Sequence, residues 1–152
     1  ANYYSITDEM VFSVNFYTKA VKSISDEDVR VSKRLYLPSR RLRGFEAGKV
    51  GPKDGTDFIG GNYASSLNFS TTLPQVLKDL QNLDFKFFYD IGNVWGVDYN
   101  SGLDSNKIRS STGLGIDWFT PIGPLSFSIA QPITKADSDV TEKIRIDIGT
   151  TF

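Results

Sequence analysis

The chain has 152 residues and a formal net charge of −1, enough for one domain with a core and no electrostatic case for nucleic acid. It contains no His and no Cys, which excludes disulfides, the usual Cys/His zinc sites, Cys nucleophiles and any His-based triad. Aromatic residues make up 13%, mostly Phe and Tyr, and that favours strands over helices.

No stretch reads as a membrane helix. The segment 58–77 is too rich in Gly, Asn, Ser and Thr, and 118–134 is broken by Pro121, Pro124 and Pro132. The chain opens Ala1-Asn2-Tyr3-Tyr4 with no basic, apolar leader, so the expectation is a mature form or an excised piece. Its slightly negative mean hydropathy does not exclude a membrane barrel, because only alternate residues of such a wall are apolar.

In chain order, residues 1–5 read as the end of a strand. Met10 to Lys22 alternates, with Phe12, Val14 and Phe16 on one face and Ser13, Asn15 and Tyr17 on the other. Residues 61–73 set Leu67 and Phe69 against Ser66, Asn68 and Ser70. Gln75 to Leu83 is ambiguous, since Val76, Leu77, Leu80 and Leu83 recur at the spacing of a short helical turn. Residues 84–95 set Phe85, Phe87, Tyr89 and Ile91 against Lys86, Phe88, Asp90 and Gly92. Residues 107–119 set Leu114, Ile116 and Trp118 against Arg109, Ser111, Gly113, Gly115 and Asp117. Residues 125–133 set Phe127 and Ile129 against Ser126, Ser128 and Ala130.

The closing segment, 142–152, alternates most strictly. Ile144, Ile146, Ile148, Thr150 and Phe152 share one face, and Lys143, Arg145, Asp147, Gly149 and Thr151 share the other. By itself this fits either the last strand of a soluble sandwich or an outer-membrane strand with one face on lipid. The other strands separate the two. A sandwich buries large apolar residues between its sheets, and a soluble sheet can also be covered by helices. Here the face opposite the apolar one is small and charged, and no amphipathic helix is long enough to cover the apolar side, which leaves lipid. Trp95 and Trp118 lie near strand ends, as interface aromatics do. The expected fold is therefore an all-β antiparallel transmembrane β-barrel segment of about six or seven meander strands, each near the roughly 9–11 residues a tilted membrane strand needs. Connections alternate between tight (7–9, 121–124) and long (23–60, 93–106, 134–141), the barrel pattern of short turns at one rim and long loops at the other.

The longest loop carries Leu42-Arg43-Gly44-Phe45. Further along come Gly60-Gly61-Asn62, Phe87-Phe88-Tyr89-Asp90-Ile91-Gly92-Asn93-Val94-Trp95, Trp118-Phe119-Thr120-Pro121-Ile122-Gly123-Pro124-Leu125 and Ala130-Gln131-Pro132. In that order these motifs resemble the BamA-like outer-membrane assembly factors of the bacterial surface antigen superfamily, over nearly the whole chain. The resemblance implies a sixteen-strand barrel preceded by periplasmic POTRA domains, of which residues 1–152 are the C-terminal portion, with POTRA domains and the first barrel strands absent.

Arg43 carries a guanidinium that always stays charged and suits a bidentate carboxylate. Taken alone it reads as a solvated loop charge among Arg40, Arg41 and Lys49, since surface charge is the default. In the family the motif loop folds back into the barrel and its Arg meets an acid on the strand where Asp90 stands. A second acid is expected on the preceding strand, where this chain has Asn68. That departure predicts a weaker pairing, or help from Asp117. Gly44 opens backbone conformations closed to other residues, and Phe45 is free to pack on the inner wall. The loop's polar composition suits a wet interior. Gly149 and Phe152 belong, by the same resemblance, to a weakly paired last strand that serves as lateral gate and C-terminal signal. A Gly tolerated because its inward face needs no bulk explains Gly149 equally well.

The function implied is folding and insertion of β-barrel proteins into the outer membrane, with no catalytic residues, metal or cofactor. The partners implied are outer-membrane lipid, nascent outer-membrane proteins and assembly-complex lipoproteins, and an isolated piece is expected to self-associate through open strand edges. The alternative in the same superfamily is a two-partner secretion or TamA-like translocation pore.

Overall fold

A computed structural model describes residues 1–7, 10–24, 27–74, 82–104, 106–121 and 123–148. Seven strands form one antiparallel sheet: β1 (Asn2–Thr7), β2 (Met10–Ala20), β5 (Tyr63–Thr72), β6 (Leu83–Trp95), β7 (Arg109–Thr120), β8 (Gly123–Thr134) and β9 (Ile144–Ile148). Each pairs with the next in sequence, so β1 and β9 are its edges. Two short strands, β3 (Lys53–Asp54) and β4 (Asp57–Phe58), make a small hairpin within the connection from β2 to β5, which the alternation of the long strands gave no reason to expect.

Directly opposed residues of an antiparallel pair point to the same face, so the register extends each strand's alternation into rows across the sheet. Phe85, Ile116, Phe127 and Ile146 are consecutive partners, and Phe87, Leu114, Ile129 and Ile144 form the next row. Between these rows, on the other face, Lys86, Gly115, Ser128 and Arg145 are partners. These rows are half-exposed to exposed: Phe85, Ile116 and Phe127 are half-buried, whereas Leu114 is 57% exposed and Ile129 63%. A continuous apolar face of this size is what a bilayer covers. Trp95 ends β6 and stacks on Tyr63 at 5.7 Å between centroids, at the rim where the long loops begin.

The core lies on the inner face. Leu37, Leu42, Phe45 and Val50, all from the β2–β5 connection, pack on Ala64 of β5 and Val94 of β6. The connection is polar on average, but its few apolar residues converge on this patch, and each such buried side chain contributes about 1.5–3 kcal/mol, while beside it the inner face opens on a cavity lined by Arg40, Arg41, Lys86 and Asp117. Glycine makes room for the inward aromatic Phe88. Phe88 is fully buried, and a Cβ on Gly113 would lie 2.7 Å from its ring and 2.1 Å from the Ile129 carbonyl.

The expected strands match the observed ones to within a few residues, residues 2–5 of the expected 1–5 belong to β1, and the expected closing strand 142–152 is seen as Ile144–Ile148, with 149–152 outside the described residues. Of the suspected helical turn at Gln75–Leu83, Leu83 opens β6 and 75–81 lie outside the described residues, as do Gly149 and Phe152. The turn after β7 is tight, with Thr120 paired to Gly123 at φ +128°.

The two faces predict opposite responses to charge in the intact barrel. Ile129→Lys places a cation on the lipid face and should cost about 2–4 kcal/mol. Ser128→Glu, one residue away and opposite Arg145, should change stability by less than about 1 kcal/mol. Denaturant unfolding from lipid vesicles measures both, and equal costs would invert the assignment of the faces.

Candidate functional site

The site is where the long connection touches the wall. Pro38 leads a single 3-10 turn, Ser39–Arg41, that ends on Leu42 and turns the chain toward the sheet. Leu42 and Phe45 enter the core, each 2% exposed. Gly44 has φ +88°, a conformation L side chains rarely adopt, and a Cβ there would lie 3.1 Å from the Ala130 Cβ and 3.3 Å from the Ser111 Cβ. Glycine is thus needed both for the bend and for the approach to β7 and β8.

Arg43 lies between these residues with its guanidinium over the Phe88 ring, 3.6 Å from the centroid. Its Nε and Nη2 donate to the two oxygens of Asp90, each at 2.7 Å, and its backbone N donates to Asp90 Oδ2 at 3.1 Å. The Ser111 hydroxyl donates to the Arg43 carbonyl. Asp90 is fully buried, whereas the Arg43 side chain keeps 21% of its surface.

Asn68 completes the arrangement. Its Nδ2 donates to Asp90 Oδ1 and to the Arg41 carbonyl, both at 2.9 Å. Four donors therefore reach Asp90, matching the roughly four lone-pair sites of a carboxylate. The expectation of a weakened pairing is corrected here: an amide can donate to a buried carboxylate, which a second ionised acid cannot, and one guanidinium against one carboxylate leaves no excess charge to bury. The expected help from Asp117 is also corrected. Asp117 is bound by Lys86 of β6 and by Ser126 Oγ at 2.7 Å, in a separate cluster on the same face.

Two further pairs carry structure that the sequence reading passed over. Arg109 and Asp139 are completely buried and joined in bidentate fashion at 2.8 and 2.9 Å. The available signal was Arg109 on the inward face, since a buried charge needs a partner, but nothing in the spacing distinguishes Asp139 from Asp137. In the loops, Arg34 bonds Asp98 at 3.2 Å, and the Val29 amide donates to the same carboxylate at 3.0 Å. Burial pushes the Asp98 carboxyl up, but Val29, Asn62 and Arg34 together outweigh it and hold its pKa below the ordinary 3.8.

A family model described as the Omp85 superfamily domain matches residues 1–152. The chain belongs to the Omp85 superfamily. Among curated relatives it is 30% identical over 132 residues to the outer membrane protein assembly factor BamA of Neorickettsia risticii, covering 84% of this chain and 18% of that protein. It is 27% identical over 177 aligned positions to BamA of Neisseria meningitidis, covering 98% of this chain and 20% of the relative. The crystal structure of Haemophilus ducreyi BamA lacking POTRA domains 1–3 superposes with a TM-score of 0.84 at 26% identity, over 95% of this chain and 32% of that one. This Omp85 chain thus spans about a fifth of the curated relatives and is BamA-like in sequence and fold.

In the intact barrel, Arg43→Ala leaves Asp90 buried with only part of its donor set and should cost about 3–5 kcal/mol while the wall strands stay formed. Arg43→Lys should recover little, because an ammonium cannot make the paired bonds. Arg43→Asp with Asp90→Arg should recover more than either single change. Denaturant unfolding, with exchange protection at residues 42–45, reads all three; a double variant no better than the singles would sink the pairing. A depressed Asp98 carboxyl stabilises the loop contact above pH 3.8, and that contribution is lost as pH falls through its lower folded value. Limited proteolysis of the Val29–Arg34 region against pH should show release only below pH 3.8.

Proposed function

We propose that this chain is the C-terminal part of the barrel of an outer-membrane protein assembly factor, which folds and inserts β-barrel proteins into the bacterial outer membrane. The observation that carries the reading is the seated motif loop: Leu42–Phe45 held on the inner wall by the Arg43–Asp90–Asn68 network. The sequence similarity to BamA proteins supports the same reading.

The work is mechanical and uses no catalytic residue, metal or cofactor. A loop locked to β5–β8 from inside stiffens this part of the wall, so that compliance is left to the seam beyond β9. A weakly paired seam lowers the barrier for a client strand to enter, and the client's terminal strand adds to an open edge through backbone hydrogen bonds. Gly149 and Phe152 belong to that seam in this proposal. The partners are nascent outer-membrane proteins and the surrounding lipid, with lipoproteins of an assembly complex at the periplasmic side. A lone sheet of this kind has two open edges and associates with itself.

The test uses the intact protein in phosphatidylcholine vesicles, given a urea-unfolded eight-stranded barrel as client. Folding is read as heat-modifiable mobility on gels. The protein should speed client insertion, and Arg43→Ala should remove most of the acceleration while leaving its own barrel folded. Client delivered into the vesicle lumen instead of its membrane would favour a secretion pore, and no acceleration by the wild-type protein would overturn the proposal.

A further inference from the structure

The motif loop has a second neighbour besides the wall, the segment 135–143 between β8 and β9. The Glu142 amide donates to the Gly44 carbonyl at 3.0 Å, Glu46 N to Val140 O at 3.0 Å, and Val140 N to Lys49 O at 3.2 Å. Phe45 and Thr141 form an antiparallel bridge among these bonds. The motif backbone is therefore half of a short ladder whose other half is residues 140–142.

The 135–143 segment is held in its turn by Asp139. The Asp139 amide donates to the Ala136 carbonyl at 3.1 Å, and the Ala136 amide returns a bond to Asp139 Oδ2 at 2.6 Å. Arg109, at the start of β7, then clamps the carboxylate with Nε and Nη2. Its Nη1 donates to Asn93 Oδ1 at 2.6 Å and to the Lys107 carbonyl at 2.7 Å. Both side chains of the pair are 0% exposed. Two charges removed wholly from water persist only when bonds satisfy them, so the pair tolerates one geometry and little drift.

The same segment runs directly into the last described strand. The Ala130 amide donates to the Lys143 carbonyl at 2.8 Å, and Ile144 begins β9. Arg145 of β9 reaches back to Glu142 at 3.0 Å and along the strand to Asp147 at 2.9 Å. No unbonded linker separates the ladder from the strand.

We propose that Arg109 and Asp139 are positioning residues that make the 135–143 segment a second latch on the motif loop, independent of Arg43–Asp90, and that this latch ties the motif loop to β9. The proposal deepens the reading of the motif loop as the working element, and it rests on that reading for its functional meaning. The wall latch fixes the loop to β5, β6 and β7. The second latch fixes it to the strand that leads to the seam.

Hydrogen–deuterium exchange on the intact barrel in detergent tests this without any client, so its failure is distinct from failure of the assembly reading. Asp139→Asn should speed exchange at the amides of Glu46, Val140 and Glu142 by about tenfold or more. Protection at Arg43 and along β6 and β7 should hold, and Asp139→Glu should restore part of what is lost. A role confined to wall stability would loosen β6 and β7 together with the ladder. Unchanged exchange at Glu46 and Glu142 would overturn the proposal. Should Asp139→Asn unfold the wall, Arg109→Lys decides, since it keeps the charge of the pair and loses its paired bonds. Faster exchange at Glu46 and Glu142 with the wall protected supports the latch. Unchanged exchange there overturns it.

Discussion

A carboxylate with no exposed surface, Asp90, is the point on which the inner architecture turns. A charge there is tolerable only if hydrogen bonds replace its lost hydration. Its donors come from three places: the Arg43 guanidinium, the Arg43 backbone and the Asn68 amide. Satisfying Asp90 therefore fixes where the connection between β2 and β5 must lie, and with it Leu42 and Phe45. The apolar core follows from that placement, because the same residues that flank Arg43 fill the space beside Ala64 and Val94. Polar and apolar contacts on this face are one arrangement: the ion pair sets position, and the burial of Leu42 and Phe45 shields it from water and strengthens it.

The two faces of the sheet solve different problems with one alternating pattern. Outward rows are apolar and left uncovered by protein, which only lipid makes stable. Inward rows mix small residues with charges, and the small ones are specific. Gly113 accommodates Phe88, Gly44 accommodates Ser111 and Ala130, and a Cβ on Gly92 would lie 3.0 Å from Leu37. The small inward residues are thus the imprint of what packs on them.

Strand number, faces and register were legible in the sequence because a period of two is a strong local signal and a one-residue slip would exchange lipid for lumen. The Arg43–Asp90 contact was legible through the order of motifs. Asn68 is located by the same order, but its effect is not, because a count of charges misses that hydrogen-bond donors are the scarce quantity around a buried carboxylate. Arg109–Asp139 was not legible: its members lie 30 residues apart, and their partnership depends on how the 135–143 segment folds back. The small β3–β4 hairpin was missed for a related reason, being two residues per strand and too short to show a period. What eluded the sequence was therefore the set of contacts made by loops, where no periodicity constrains the answer.

The Ala130-Gln131-Pro132 segment shows why one short motif belongs to this site. Proline cannot donate to a ladder and is normally kept from the interior of a sheet unless a bulge accommodates it. Here the register of β7 and β8 shifts beside it: Ser111 faces Pro132, and Ser110 faces Thr134, so Ile133 has no partner across the pair. The shift occurs where the motif loop touches the wall. The Ser111 hydroxyl reaches the Arg43 carbonyl, and a Cβ on Gly44 would meet Ser111, Ala130 and Pro132. Bulges re-aim side chains and recur beside functional sites. In this wall the bulge, the proline and the glycine are three parts of one docking surface, and each gives up regular β structure where the loop comes closest.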